Sequence, residues 1–259
     1  MSLDEAVLAS IHSAARLIKG SRYVTVLTGA GVSVESGIRP FRGPGGLWTE
    51  RGEPPMDGYR RFEVDPKSYW KDMLGPARRS RFGDSFLEAK PNAGHYALAE
   101  LETMGILKSL ITQNIDNLHS EAGSKRVFEI HGNRLKLRCV NCGVRFSRVG
   151  FDLSTLPPRC PDCGGVVKDD VVMFGEPIPR DVLAECQAEV EKSDCIIVAG
   201  TSAIVYPAAS LPFIVKEKGG TIIELNPFKS ELSQICDVTI RAPSGEALPV
   251  LVEALKKLA

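Results

Sequence analysis

The chain has 259 residues, 43% of them hydrophobic and 25% charged, which is enough apolar content for a sizeable core beneath an ordinary polar surface. Lys+Arg and Asp+Glu are both 32, so the formal net charge is zero, which speaks against a protein held on nucleic acid or anionic lipid by its overall field. No apolar run approaches the ~18 residues of a membrane span, and the acidic opening Met1-Ser2-Leu3-Asp4-Glu5 lacks the basic-then-apolar pattern of a signal peptide.

Val7, Ile11, Ala14, Ala15 and Ile18 recur at helical spacing and predict a first helix over residues 4–19. The run Tyr23-Val24-Thr25-Val26-Leu27 predicts a strand that delivers the chain to Gly29-Ala30-Gly31. Similar short runs recur at Leu107–Thr112, Val127–Ile130, Cys195–Ala199 and Thr221–Leu225, bounded by turn residues and with helical patterns between several of them. Continuous Val/Ile/Leu runs fit strands buried on both faces, hence an α/β fold with a parallel sheet and helices on both sides. A last helix is expected over 245–259, with Leu248, Leu251, Val252 and Leu255 inward.

Two stretches break this rhythm. From Pro40 to about Lys90 the chain is rich in Gly, Pro, Arg and aromatics, with weak helical segments at Pro66–Leu74 and Ser85–Lys90. Its arginines Arg78, Arg79 and Arg81 read as a solvated face. From 136 to 168, short β-like pieces surround four cysteines and Pro157-Pro158. The two excursions are expected to form one smaller domain, residues 45–105 and 138–167. The sheet domain then comprises 1–44, 106–137 and 168–259, with a ligand crevice between the two.

The glycine turn suits a strand-to-helix junction whose backbone turns sharply and approaches a dinucleotide pyrophosphate. Val34 stands where a third fingerprint glycine would be, and no acidic residue ends a second strand about twenty positions on, which disfavours a hydride-transfer dehydrogenase. A tight structural turn remains the alternative. Cys139-x2-Cys142 and Cys160-x2-Cys163, with seventeen residues between the pairs, have the spacing of a closed, structural zinc site. Lys136, Arg138, Arg145 and Arg148 lie nearby and leave a nucleic-acid-binding zinc module as an alternative. Cys186, Cys195 and Cys236 read as small core residues, and the absence of a disulfide pattern fits a reducing cytosol.

Gln113, Asn114 and Asp116 follow the strand that ends near Ile111 and offer donors and acceptors to a ribose and a carboxamide, where open α/β sheets place ligands. Asn114 or Asp116 could equally be the N-cap of a helix. His131 closes another strand and is either a general base at neutral pH or a structural histidine. Gly200-Thr201-Ser202 and Glu224-Leu225-Asn226 end two further runs at the same sheet edge and either bind phosphate or ribose or simply turn.

In this order, GAGVSVESGIRPFRG (29–43), TQNIDNLH (112–119), HG (131–132), the two cysteine pairs, FGE (174–176), AGTS (199–202) and ELN (224–226) resemble the sirtuins, NAD-dependent protein deacylases. The resemblance spans nearly the whole chain. It implies a Rossmann-like parallel sheet with an inserted zinc-ribbon and helical domain, NAD as co-substrate and one structural Zn2+. It implies that Gly29, Ala30, Gly31, Ser33, Gly37, Ile38, Phe41, Arg42 and Trp48 belong to the cofactor loop, with Phe41 shielding the sugar after nicotinamide leaves. Gln113, Asn114, Ile115 and Asp116 would hold the nicotinamide ribose and carboxamide. Gly200, Thr201 and Ser202 would meet phosphate, with Asn226, Pro227 and Val238 at the adenosine end. Val172, Met173, Phe174, Gly175 and Glu176, with Tyr206, would take the acyl-lysine peptide as an added strand.

By the same resemblance, the acyl oxygen attacks C1′ of the ribose to give an alkylimidate. His131 acts as base on the ribose hydroxyls with Asn114 beside it, and O-acyl-ADP-ribose is released. Three departures stand out. Arg39-Pro40 replaces the family's Ile-Pro-Thr/Asp lead into Phe-Arg-Gly. Trp70 to Pro76 lacks the Tyr-x-x-Arg pair of succinyl- or malonyl-preferring sirtuins, with Met73 and Pro76 near those positions and Met73 and Leu74 suggesting an apolar pocket. No long terminal extension points to a nucleus or organelle. The expected activity is lysine deacetylation by a cytoplasmic enzyme. Protein mono-ADP-ribosylation and a non-catalytic NAD- or nucleic-acid-binding zinc module are the rivals.

Overall fold

The computed structural model describes residues 3–75, 86 and 88–258. Arg78, Arg79, Arg81 and Pro76 lie outside the described residues, as do Ser85 and Leu87 of the helix expected at 85–90. In chain order the sheet strands are β1 (Val24–Thr28), β2 (Leu107–Thr112), β3 (Val127–Glu129), β4 (Lys136–Cys139), β5 (Arg145–Ser147), β6 (Val167–Asp169), β7 (Cys195–Ala199), β8 (Thr221–Leu225) and β9 (Val238–Ile240). The helices are α1 (Glu5–Gly20), α2 (Leu47–Arg51), α3 (Gly58–Val64), α4 (Pro66–Leu74), α5 (Ala93–Thr103), α6 (Leu118–Glu121), α7 (Arg180–Lys192), α8 (Leu211–Glu217) and α9 (Ser244–Lys257).

Six strands form one parallel sheet in the order β3-β2-β1-β7-β8-β9, as the continuous apolar runs predict. Strands β1 and β7 are buried along their whole length. On one face α1, α5 and α9 cover the sheet, with Ile11, Ala15, Leu98, Leu101, Leu248 and Leu251 in a shared core. On the other, Cys186 and Val190 of α7 and Leu211 and Val215 of α8 pack against Ile196, Val198 and Ile222. Asp4 starts α1 by accepting the Val7 amide at 2.8 Å. No described helix is long and apolar enough to cross a membrane.

One segment sits in a different layer from the one its sequence suggests. Residues 93–103 fall within the stretch assigned to the smaller domain, yet Ala97, Leu98 and Leu101 of α5 face the sheet core beside α9. The rest of the first excursion does join the cysteine module. Trp70 and Met73 of α4 are buried with Leu137, Cys139, Cys160 and Val167, and Trp70 Nε1 donates to the Val167 carbonyl at 2.8 Å. Strands β5-β4-β6 form the module's own antiparallel sheet.

The glycine turn follows a different logic from a dinucleotide fingerprint. Gly29 is extended (φ −131°, ψ −174°), and a 3₁₀ segment, Ala30–Ser36, follows it instead of an α-helix. What Gly29 and Gly31 supply is space. A Cβ on Gly31 would lie 2.7 Å from both Cα and O of Gly200, and one on Gly29 would lie 2.7 Å from Thr201 Cβ. Gly200 itself has φ +61°, and its Cβ would lie 2.4 Å from the Val32 amide nitrogen. Backbone bonds lock this contact, from Gly29 N to Ala199 O at 3.0 Å and from Gly31 N to Gly200 O at 2.8 Å.

Gly200→Ala combines a left-handed backbone, worth about 1–2 kcal/mol, with overpacking, worth about 1–3 kcal/mol. Gly105→Ala shares the positive φ but meets open space. Urea unfolding is expected to show Gly200→Ala losing about 2–5 kcal/mol and Gly105→Ala only the 1–2 kcal/mol backbone part. Equal losses would mean that the close approach of the two loops contributes nothing.

Candidate functional site

The carboxyl ends of the parallel strands are joined by a row of hydrogen bonds. Asn226 Nδ2 donates to the Thr201 carbonyl at 2.9 Å, and Gln113 Nε2 donates to Thr201 Oγ1 at 3.0 Å. The Gln113 carbonyl lies 3.2 Å from His131 Nδ1, and the His131 carbonyl accepts the Val172 amide at 2.9 Å. The loops after β8, β7, β2 and β3 and the segment 172–176 are thus held in sequence along one edge. Gly132 permits the last junction, because its φ is +77° and a Cβ there would sit 2.0 Å from the Asp170 carbonyl oxygen.

A carbonyl oxygen only accepts, so the His131–Gln113 contact places a proton on Nδ1 and leaves Nε2 as a free base. Burial lowers the His131 pKa, and the bond to Gln113 partly opposes this. At neutral pH the ring is therefore uncharged and able to take a proton at Nε2.

Behind the row lies a second, largely buried set. Asn114 Nδ2 donates to the Gly29 carbonyl at 3.1 Å and to Ser33 Oγ at 3.2 Å, and Ser33 Oγ donates to Asp116 Oδ2 at 2.7 Å. Asp116 Oδ1 accepts the Leu118 amide at 2.9 Å, so this carboxyl meets the first turn of α6, although the N-cap itself is Asn117 and neither of the residues the sequence offers for it. Burial raises the Asp116 pKa against these bonds and against the nearby Arg134. Ile115 contributes a carbonyl that accepts the Arg134 amide at 3.0 Å.

His95, which the motif reading passes over, stands 3.4 Å from Ser33 Oγ, its Nδ1 accepting the Asn92 amide at 3.2 Å. The Asn92-x-x-His95 spacing of a capping box is the signal that could have found it. His119 Nε2 contacts Thr28 Oγ1 at 2.9 Å, and its ring lies 4.8 Å from that of His95.

The remaining predicted residues divide. Gly37 ends the 3₁₀ segment with φ +86°, and Ile38 is buried behind it. Phe41 stacks on Trp48 at 4.5 Å, Arg42 lies over the same ring at 4.6 Å, and Trp48 meets the edge of Phe174 at 5.2 Å. Residues 172–173 belong to neither sheet, and Phe174-Gly175 form a turn in which Glu176 N donates to the Met173 carbonyl at 3.0 Å. Ser202 offers its carbonyl to the Glu231 amide at 3.4 Å, while Pro227 and Tyr206 are exposed.

Val238 does not reach the edge. It opens β9 opposite Ile223, two residues below the strand's carboxyl end, and its side chain packs on the core. Arg241 stands at that end instead, 2.5 Å from the buried Glu224. Met73 is likewise taken up by the core around Trp70, and Leu74 is exposed, so neither builds the apolar pocket expected of them.

The four cysteines converge. Zinc held by four thiolates at about 2.3 Å needs sulfurs about 3.8 Å apart in a tetrahedron. Cys139 and Cys163 sulfurs are 3.5 Å apart, Cys142 and Cys160 sulfurs 3.8 Å, and all four lie within 4.8 Å of one another. Left-handed Gly143 and Gly164 close equivalent knuckles, donating to the Cys139 and Cys160 carbonyls at 3.1 and 2.9 Å. The donor set fits one zinc with no position left for water, so the metal would hold the small sheet together and do no chemistry. Cys186, Cys195 and Cys236 stand apart, their thiols pushed up to about 12 by burial.

A family model described as Sir2 family matches residues 29–207. An NAD-dependent protein deacylase of Thermococcus kodakarensis is 44% identical over 251 residues, 95% of this chain and 95% of its own. NAD-dependent protein deacylase 1 of Archaeoglobus fulgidus is 44% identical over 255 residues, 98% of this chain and 99% of its own. The solved structure of a Sir2 homolog–NAD complex superposes with a TM-score of 0.79 at 44% identity, covering 99% of this chain and 95% of that one. A Sir2 variant with a deacetylated p53 peptide and 3′-O-acetyl ADP ribose superposes with a TM-score of 0.78 at 32% identity, over 94% and 97% of the two chains.

Two expectations follow from this geometry. Metal analysis of the purified chain should find one zinc, with Cys163→Ser losing it, and a metal-free wild type would refute the assignment. Burial depresses the His95 pKa to about 4, and shifts His119 and His131 in the same direction. Unfolded histidine protonates near 6.5, so the unfolded chain binds the extra protons below that pH. Stability should therefore be present above pH 6.5 and fall towards pH 4, by about 1.4 kcal/mol per pH unit for His95 alone. Urea midpoints that stay flat between pH 6.5 and 4.5 would contradict this.

Proposed function

Because the chain belongs to the Sir2 family, we infer that it is an NAD-dependent protein-lysine deacylase whose reaction takes place at the carboxyl edge of its six-stranded sheet. The acyl group passes from lysine to ADP-ribose as nicotinamide leaves. The observation that carries the assignment of the site is His131, a neutral imidazole with Nε2 unprotonated. It lies one hydrogen bond from the NAD-side loop at Gln113 and one from the peptide-side segment at Val172.

We assign His131 as the general base on the ribose hydroxyls. Asn114 has both amide protons directed at Gly29 O and Ser33 Oγ, so its Oδ1 is the atom left to orient a ribose hydroxyl. Asp116 would accept from the nicotinamide carboxamide, its remaining lone pairs held in place by Ser33 and Leu118. Gly29, Ala30, Gly31, Gly200, Thr201 and Ser202 would surround the phosphates, with Asn226 and Pro227 at the adenosine end. Val238 drops out of this set for the reason given above.

The acyl-lysine peptide would add as a strand beside residues 172–176, and Tyr206 would border it. The aromatic surface of Phe41, Trp48 and Phe174 suits a short neutral acyl group, with acetyl as the default. No arginine of the described stretch Trp70–Gly75 answers an acidic one.

Asn114 and His131 favour deacylation over protein ADP-ribosylation. A nucleic-acid role for the zinc module finds little support, since Lys136 pairs with Glu129, Arg138 with Asp170 and Glu176, and Arg145 with Asp170 and Asp181. Each of these cations already has a carboxylate partner within the chain. We take the chain as two domains, with 93–103 transferred to the sheet domain, working in a reducing cytosol that keeps the zinc thiols available.

Mass spectrometry of reactions holding NAD and a panel of acyl-lysine peptides tests the reading. Nicotinamide and O-acyl-ADP-ribose should form together and fall by about 10²–10⁴-fold in His131→Ala, the usual worth of a general base. Nicotinamide release with label fixed on protein would favour ADP-ribosyl transfer. Salt-sensitive nucleic-acid binding with no nicotinamide release would favour the binding module.

A further inference from the structure

A buried charge cluster outside the reaction edge joins the small sheet to the segment 172–176. Arg138 of β4 and Lys168 of β6 are direct partners across antiparallel strands. Lys168 is completely buried and Arg138 almost so. Two cations facing each other in this way repel unless an anion lies between them.

Glu176 is that anion. Its carboxylate lies 3.1 Å from Lys168 Nζ and accepts a hydrogen bond from the Arg138 guanidinium. Asp170 adds a second anion, 3.3 Å from Arg138 Nε. Lys168 spends its other protons on the carbonyls of Asp169 and Val171, each at 2.7 Å. Glu176 Oε2 also accepts the Met173 amide at 2.8 Å, which closes the Phe174-Gly175 turn. A buried ion pair is a weak source of stability compared with apolar packing, but the hydrogen bonds that accompany this one are directional.

We propose that Lys168 is a positioning residue for the acylated peptide. Acting through Glu176, it sets where the 173–176 turn stands and so how well the peptide edge is presented. With no exposed surface, Lys168 can touch neither peptide nor NAD. This rests on the reading of residues 172–176 as the peptide segment.

The test uses the full chain with an acetyl-lysine peptide and NAD. Losing a hydrogen bond to a charged group predicts that Lys168→Met raises the peptide KM about tenfold or more. The KM for NAD, ADP-ribose affinity by calorimetry and zinc content should stay near wild type, and Lys168→Arg should recover most of the peptide KM. An unchanged peptide KM in a folded Lys168→Met, or peptide and NAD constants that move together, would overturn the proposal.

Should Lys168→Met not fold, Lys168→Gln keeps a donor for the Asp169 and Val171 carbonyls while removing the cation beside Glu176. A raised peptide KM there supports the proposal, and a wild-type value overturns it. A wild-type enzyme that turned over no acyl peptide would instead overturn the deacylase reading, and this inference with it.

Discussion

The loops after β1 and β7 meet backbone to backbone, and the whole carboxyl edge of the sheet depends on that contact. Gly29, Gly31 and Gly200 leave no room for a single Cβ between them. The contact brings Thr201 within reach of the Gln113 side chain, and the Gln113 main chain then fixes the protonated nitrogen of His131. A second such approach, of Gly132 to Asp170, ties His131 to the strand leaving the cysteine module. Two tight backbone contacts, far apart in sequence, therefore decide where the His131 ring stands and which of its nitrogens is free.

Carboxylates do the same work between loops that the glycines do between strand ends. Glu189 holds Tyr23, Arg126 and Lys192 together at 2.7–2.8 Å. Burial raises its pKa, but the hydrogen bonds from these neighbours outweigh that and bring it down to about 2. Glu224 gathers Arg241, Ser230 and Ser233 under the loop that follows Asn226. Glu35 accepts the Gly245 amide at 2.6 Å, placing a negative charge at the amino end of α9. Each carboxylate lies at a joint between elements, where a directional bond fixes geometry that apolar packing leaves loose.

Much of this architecture is legible in the residues. Leu107–Thr112, Cys195–Ala199 and Thr221–Leu225 appear as strands with the bounds their apolar runs suggest, because burial on both faces imposes an unbroken hydrophobic run. Pro66 marks the start of α4 because its missing N–H costs nothing in a first turn. Strand β9 left no such signal, being three residues with Thr239 at its centre. Helix α5 carries Gly94 and His95 in its first turn, and its membership in the sheet domain depends on contacts with α9 that no local pattern reveals.

At the site, the zinc spacing was read from sequence, since a metal prescribes its ligands. The purpose of Gly29 and Gly31 was not. Their need for space is created by Gly200, some 170 residues away, and the buried His95 behind Ser33 is placed by the same long-range packing.

The strand order has a consequence for how the protein is made. β1 lies between β2 and β7, and Asp194, just before β7, binds the amides of Arg22 and Tyr23 across 172 and 171 residues of sequence. During translation, β1, β2 and β3 leave the ribosome well before β7 exists. At ~5–20 residues per second, one side of the sheet's central strand waits roughly 10–30 s for its neighbour. Through that interval the nascent half-sheet carries an open edge of the kind that recruits foreign strands. The parallel order that gathers these loops at one edge also makes the newborn chain dependent on its own second half for protection from aggregation.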